Sequence, residues 1–243
     1  MRWGLFRLRL RKFAVALSTR RGRTALWAGV AASIEHRAAL ATMDFRTVVD
    51  VGANRGQFTL FCRDEFLQAT VISFEPLPAA AAKFRRVFSG DDKVKLYETA
   101  LGATAGESLM RITADDDASS LLAVGAVQTD LFGTREVSQR IVPVRRLDQI
   151  LSPEQIAAPA LLKIDVQGFE VEVLRGAEGL LSAFEVVYVE ASFRELYVGQ
   201  ALVDEVIALL HTAGFTLSGV YNQAVDRDGR PVQADFLFGR RVT

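Results

Sequence analysis

The chain is poor in the residues that build disulfide and metal frameworks. Its 243 residues include one cysteine, Cys62, and two histidines, His36 and His211. One cysteine excludes an intrachain disulfide scaffold and a multi-cysteine zinc site, and two histidines exclude a three-histidine metal centre. Such sparing cysteine usage fits a reducing, cytoplasmic compartment. A long apolar run is also missing from the N-terminal region. The longest uncharged stretch there is Thr24–Ile34, far below the roughly 20 residues of a membrane-spanning helix. No longer apolar stretch with a following cleavage site points to secretion. Finally, residues 1–23 contain no acid, against eight bases: Arg2, Arg7, Arg9, Arg11, Lys12, Arg20, Arg21 and Arg23. The remainder holds 21 bases and 29 acids, so a formal charge of zero divides into a basic segment and a body of net −8.

What is present is enough apolar material for a full core. Half of the residues are hydrophobic and 24% are charged, as in an ordinary globular domain that folds without cross-links. Residues 1–45 read as a basic helical N-terminal extension. Phe6, Leu10, Phe13 and Leu17 share one helical face, with Arg7, Arg11 and Lys12 away from it. That face either packs on the body or a second subunit, or lies on an anionic membrane surface, or contacts nucleic acid.

Residues 46–243 read as one domain of alternating strands and helices. Strands are predicted at Thr47–Val51, Thr70–Phe74, Val94–Ala100, Ile141–Val144, Leu161–Asp165 and Val186–Glu190. Helices fall at Gln57–Phe66, Ala79–Phe88, Glu170–Leu181 and Leu202–Ala213. A closing hairpin pairs Phe215–Tyr221 with Val232–Phe238 around Asp228-Gly229. This alternation predicts a mostly parallel sheet covered on both faces. Residues 102–140, rich in Gly, Ser, Thr and Asp, read as an irregular or hairpin insertion.

Three strand ends carry chemistry. The first is Asp50-Val51-Gly52-Ala53-Asn54-Arg55-Gly56, an acid followed by a glycine turn before a helix. Ligands of open α/β sheets sit at such carboxyl ends, where glycine lets the backbone approach closely. A dinucleotide loop would require Gly-x-Gly-x-x-Gly; here Asn54 holds the second position and the third glycine is missing. S-adenosylmethionine brings a cationic ammonium instead of a phosphate, and Asp50 suits that cation. A tight turn with no ligand is the plain alternative. The second end is Phe74-Glu75-Pro76. Glu75 lies 25 residues beyond Asp50, near the interval at which an acid grips ribose hydroxyls. Pro76 fixes the turn that follows. The third is Lys163-Ile164-Asp165-Val166-Gln167-Gly168-Phe169-Glu170, in which Glu170 also suits a helix N-terminus.

Together these segments resemble the FkbM family of S-adenosylmethionine-dependent methyltransferases. The resemblance runs in colinear order through Val49–Phe58, Phe74-Glu75-Pro76, Ala118-Ser119-Ser120-Leu121, Leu162–Glu170 with Val173-Leu174-Arg175-Gly176-Ala177, and Asp235-Phe236-Leu237-Phe238. It covers about residues 46–240. It implies an α/β class I methyltransferase fold, a Rossmann-like, seven-stranded and mostly parallel sheet with a C-terminal antiparallel hairpin. It also implies O-methylation of a sugar, glycolipid or natural-product hydroxyl. By position, Asp50, Gly52, Asn54 and Gly56 would line the cofactor S-adenosyl-L-methionine, Glu75 with Pro76 would hold its ribose, and Ala100 would flank adenine.

Methyl transfer to a hydroxyl needs that oxygen aligned and relieved of its proton. Asp165 and Glu190, both at strand ends, are candidates. His211 is less suited, because a histidine on a helix face is more often structural. Lys163 either pairs with an acid or points to a solvated edge. The spacing of Asp165, Glu190 and Asp235 demands no metal ion. The net −8 body disfavours nucleic acid, although Lys163, Asp165 and Glu190 are also compatible with RNA ribose methylation. A non-catalytic cofactor-binding module is the remaining alternative. A cytoplasmic enzyme follows, with peripheral membrane contact through residues 1–23 and homo-oligomerisation both compatible with it.

Overall fold

The computed structural model describes residues 20–241, so the amphipathic pattern over residues 5–18 lies outside the described residues. Seven strands form the main sheet in the order β3-β2-β1-β7-β8-β10-β9. They are β1 (Thr47–Val51), β2 (Thr70–Phe74), β3 (Val94–Tyr97), β7 (Ala160–Ile164), β8 (Val186–Ser192), β9 (Phe215–Val225) and β10 (Pro231–Arg240). The pairs β1–β2, β1–β7, β2–β3 and β7–β8 are parallel. β10 alone runs antiparallel, wedged between β8 and β9. This is the class I methyltransferase architecture that the sequence predicts.

The strands read as continuous apolar runs because both faces of the sheet are covered. Alternation is still present within them. Val49, Val51, Ile72, Phe74, Leu162, Ile164, Val187 and Val189 enter one core with α7 (Glu170–Gly176) and α8 (Val203–Thr212). Val48, Val71, Leu161, Tyr188 and Leu237 enter the other, with α3 (Gln57–Glu65) and α4 (Pro78–Val87).

That second core also takes Ala25 of α1 (Arg20–Trp27), Val30, Ala32, Ala39 and Leu40 of α2 (Arg37–Leu40), and Phe45. Residues 25–45, expected to belong to an extension, are thus built into the domain. Apolar side chains at these positions remove surface from water only by packing beneath α3 and β1.

Of the two forms expected for residues 102–140, irregular or hairpin, the structure shows the hairpin one. β5 (Gly106–Thr113) pairs antiparallel with β6 (Glu136–Arg145), and the two-residue β4 (Ala100–Leu101) joins β6 to make a three-stranded sheet. The predicted strand Val94–Ala100 is therefore divided between two sheets. Between β5 and β6 lies α5 (Ala126–Phe132). Met110, Leu121, Val142 and Val144 pack with Leu77 and Ala80, fastening the small sheet against α4.

The helix predicted over Glu170–Leu181 ends earlier, at Gly176, and continues as a 3-10 turn over Glu178–Ala183. A Cβ on Gly176 would stand 2.2 Å from the Gly102 carbonyl oxygen, just after β4. The helix end and the small sheet meet backbone to backbone there. Gly176→Ala should lower stability by about 1–3 kcal/mol through this overpacking. Gly239→Ala, where nothing lies within 4 Å, should change it by less than about 0.5 kcal/mol. Urea denaturation of the two variants checks the contrast.

Candidate active site

Strand register decides which side chains meet. Asp50 is paired with Ser73 on one side and Lys163 on the other, and Lys163 is paired with Tyr188. Neighbours in register project to the same face of a sheet, so Ser73, Asp50, Lys163 and Tyr188 form one row. Two residues further along stand Glu75, Gly52, Asp165 and Glu190, with Asp235 of β10 opposite Glu190. The second row is the rim of a cavity of about 390 Å³.

The inner row is a buried ion-pair system. The Lys163 ammonium lies 3.2 Å from Asp50 Oδ1 and 3.6 Å from Asp165 Oδ2, and it donates to the Gly52 carbonyl at 3.4 Å. It also sits 5.4 Å from the centre of the Phe58 ring, a cation–π distance. Burial pulls the Lys163 ammonium towards neutrality, but Asp50 and Asp165 outweigh that and keep it charged. Thr59 donates to Asp50 Oδ2 at 2.8 Å.

Asp50 was expected to face the cofactor. It is fully buried and does not line the cavity, because its side chain belongs to the inner row. Gly56 does not line the cavity either. Its Cβ would meet Phe88 at 2.5 Å and Phe84 at 2.9 Å, so it sets the packing of α3 on α4. Gly52, Asn54, Glu75, Pro76, Ala100, Lys163, Asp165 and Glu190 all line the cavity.

Glu75 is held by two backbone amides, Asn54 N–H to Oε2 at 2.9 Å and Leu77 N–H to Oε1 at 2.7 Å. Burial nevertheless pushes its carboxyl up to about 7. Asn54 adopts a left-handed backbone (φ 47°) and its Oδ1 is buried without a hydrogen-bond partner. Gly52 has φ 80°, and a Cβ there would come 1.8 Å from the Asp165 carbonyl oxygen. The ends of β1 and β7 can close together only around glycine. The small sheet forms the opposite wall with Met110, Asp116, Asp117, Ser119 and Leu121. Arg55 grips Asp116 through two hydrogen bonds, 2.9 and 2.5 Å, tying that wall to the glycine loop.

Gln167 is a site residue to which the sequence attaches no role. From a left-handed backbone (φ 58°) it donates through Nε2 to both Asp165 Oδ1 (2.9 Å) and Glu190 Oε2 (3.0 Å). Its Oε1 accepts from the Tyr197 hydroxyl at 2.7 Å. Burial, then Asp165, Asp235 and Glu170, push the Glu190 carboxyl well above the usual range. Glu170 lies off the cavity and accepts from the amides of Gly168 and Val166, capping its own turn, while burial pushes it up to about 7. His36 and Asn222 also line the cavity. No sequence pattern marks either one, since both arrive from distant segments. His211, on α8, is exposed. Among the described residues, no group of three or more His, Cys, Asp or Glu is arranged to hold a metal ion.

The sheet order is that of the class I methyltransferase fold, and its acid-rimmed cavity opens at the carboxyl ends of β1, β2, β7 and β8. The profile of the Methyltransferase FkbM domain matches residues 50–217, and the chain belongs to that family. It is similar to the 2-O-methyltransferase NoeI of Sinorhizobium fredii, 29% identical over 74% of this chain and 76% of that protein. It is also similar to the 31-O-demethyl-FK506 methyltransferase FkbM of Streptomyces tacrolimicus, 30% identical over 70% and 72%. Among solved structures it is similar to the magnesium protoporphyrin IX methyltransferase ChlM of Synechocystis PCC 6803. The identity is 10%, over 95% of this chain and 83% of that chain, with a TM-score of 0.47.

Because Lys163 neutralises a fully buried Asp50, Lys163→Met should destabilise the fold by about 3–5 kcal/mol, the cost of an unpaired buried charge. Adding Asp50→Asn should recover part of that loss. Chemical denaturation of the single and double variants measures the coupling.

Proposed function

We propose that the protein transfers a methyl group from S-adenosyl-L-methionine to a hydroxyl of a sugar, glycolipid or natural product. The observation that carries this reading is Glu75. Its carboxylate is fixed at the end of β2 by two amides, faces the cavity, and stands next to the unpartnered Asn54 Oδ1. A carboxylate accepts from both hydroxyls of a ribose. The Asn54 oxygen lacks a donor, which the ammonium of an amino-acid moiety supplies. Pro76, Leu77, Ala100, Leu101, Met110 and Leu121 offer apolar walls for an adenine. The residues present therefore fit this cofactor, which brings an electrophilic methyl group on a sulfonium.

The chain's own task is to place and deprotonate the acceptor. Asp165 is ion-paired with Lys163 and held by Gln167, which suits it to accept a hydrogen bond from the acceptor hydroxyl. Glu190, biased towards its neutral form, suits donation to a second oxygen. Asp116, Asp117, Asp165, Glu190 and Asp235 leave the cavity acidic. That favours a neutral polyhydroxylated acceptor over a phosphate-bearing one. The names of the two relatives, a 2-O-methyltransferase and a methyltransferase for a demethylated FK506 oxygen, support oxygen as the target.

The reaction is assigned to the cytoplasm. Residues 1–23 would hold the enzyme at an anionic membrane surface, a reading supported by their eight bases in a segment with no acidic residue and by Trp27, which is 92% exposed at the end of α1. No described helix is long and apolar enough to cross a membrane. Full-length protein should float with anionic liposomes and a variant lacking residues 1–23 should not. Equal flotation of both would discard this placement.

Ribose hydroxyls donate more strongly to ionised Glu75 than to its protonated form, which keeps one fewer free acceptor oxygen. Binding of S-adenosylhomocysteine should therefore tighten as pH rises through about 7, with release of a proton. Glu75→Gln should weaken binding at least ~10-fold and flatten the pH dependence, as befits the loss of a charged hydrogen-bond acceptor. Calorimetry in buffers of different ionisation enthalpy reads both effects. Asp165→Asn should leave that binding intact and lower methyl transfer to a panel of methyl glycosides and 31-O-demethyl-FK506.

A further inference from the structure

We infer that His36 is the general base of the methyl transfer, oriented by Asp235. The inference rests on the O-methylation reading above for its chemistry, but on separate residues. His36 falls outside both the profile match at residues 50–217 and the resemblance over residues 46–240, and Asp235 falls outside the profile match. One arrives from the segment ahead of β1, the other from the antiparallel strand β10, and both line the same cavity as Glu75 and Asp165.

The imidazole is held on three sides. Its ring meets Phe58, Phe61 and Tyr188 edge-on, with centroids 5.1, 6.1 and 5.5 Å away. Nδ1 lies 3.1 Å from the Tyr188 hydroxyl and 3.4 Å from Asp235 Oδ2. The Tyr188 hydroxyl itself donates to Asp235 Oδ2 at 2.8 Å, and Asn222 Nδ2 donates to the same oxygen at 2.7 Å. Burial raises the Asp235 carboxyl, but the bonds from His36, Asn222 and Tyr188 outweigh it and hold it below the usual range. Asp235 is thus an ionised acceptor beside Nδ1.

Two features assign the tautomer. The Tyr188 hydroxyl proton is committed to Asp235, so its oxygen accepts, and it and Asp235 Oδ2 both call for an N–H on Nδ1. The third neighbour of Nδ1, Asn222 Nδ2 at 3.5 Å, sends its protons instead to Asp235 Oδ2 at 2.7 Å and the Tyr188 hydroxyl at 3.4 Å. Nε2 then carries the lone pair, and it has no hydrogen-bond partner among the described residues. Fixing one ring nitrogen as donor so that the other serves as base is the arrangement by which an acid orients a catalytic histidine.

The other rim groups are less suited to take a proton. Lys163 is charged and ion-paired with two acids, Glu190 already favours its neutral form, and Asp165 is ion-paired with Lys163 and accepts from Gln167. In the step itself the acceptor O–H proton passes to His36 Nε2 while the oxygen's electron pair forms the new C–O bond. The C–S bond breaks with its pair left on sulfur, and the sulfonium charge ends as an imidazolium facing Asp235. No further reactant is required.

The chain has two histidines, so their rings can be read separately. In full-length protein labelled with 15N-histidine, with His211→Gln to assign the signals, the neutral His36 ring should carry its proton on Nδ1. Asp235→Asn should shift it towards Nε2. A proton on Nε2 in the unaltered chain would overturn the inference, whatever the acceptor proves to be. In turnover, His36→Ala should lower kcat by about 100- to 10,000-fold, the range for loss of a general base. Its affinity for S-adenosylhomocysteine should stay within about 2-fold, and added imidazole should restore part of the rate. His211→Gln should match the unaltered enzyme. Turnover by His36→Ala within about 3-fold of the unaltered rate would also overturn the inference. Cofactor binding without transfer to any oxygen acceptor would count against the O-methylation reading alone, and the tautomer would still decide the dyad.

Discussion

Everything at the carboxyl edge of the sheet is arranged around one buried cation. Lys163 stands in the middle of a parallel sheet, where an apolar residue is the usual occupant. Its ammonium forms ion pairs with Asp50 on the neighbouring strand and with Asp165 on the rim, and donates to the Gly52 carbonyl at the start of the loop. Those three contacts join the deep row of side chains to the rim. They fix how far the ends of β1 and β7 lie apart and which way the Asp165 carboxylate faces. Gly52 permits the approach, since any Cβ there would collide with the Asp165 backbone. A charge so far from water persists only with partners on several sides, and here those partners are also the parts of the site.

A second consequence follows from the small sheet. The glycine loop and the acidic rim would form an open shelf if β4, β5 and β6 did not turn back over them. Arg55 reaches Asp116 from the loop, and the Ser120 hydroxyl donates to the Gln167 carbonyl at 2.6 Å. Gln167 in turn bridges Asp165 and Glu190. Enclosure and carboxylate placement thus share one set of bonds, and the lower dielectric inside strengthens each of them.

The strand ends were readable from sequence because chemistry interrupts apolar runs there: Glu75 and Asp165 directly follow β2 and β7, whereas Asp50 and Glu190, expected at strand ends, lie one and two residues inside the ends of β1 and β8. Where each side chain points was not readable. Asp50 and Gly52 differ by a single step of two residues, yet that step separates the ion-pair row from the cavity rim. Only pairing with Lys163 across β1 and β7 reveals it. Alternation between the two cores was likewise hidden, because both faces are apolar. The small sheet was legible only as the hairpin alternative for residues 102–140, because its strands expose one side and serine, threonine and glutamate along them resemble loop composition. His36 left no trace, since its neighbours in the site, Tyr188, Asn222 and Asp235, are 152, 186 and 199 residues away in sequence.

The rim holds chemically identical groups in different states, and environment alone separates them. Asp235 receives three hydrogen bonds and stays ionised. Glu190 is buried next to other acids and leans to its neutral form. Glu75 lies between, balanced near 7 by two amide donors against burial. Pushing the titrations of neighbouring groups apart assigns an acceptor, a donor and an adjustable gate within one cavity. The sheet's topology makes the separation achievable. Antiparallel β10, between β8 and β9, brings Asp235 to the rim beside donors from β8, β9 and the N-terminal segment.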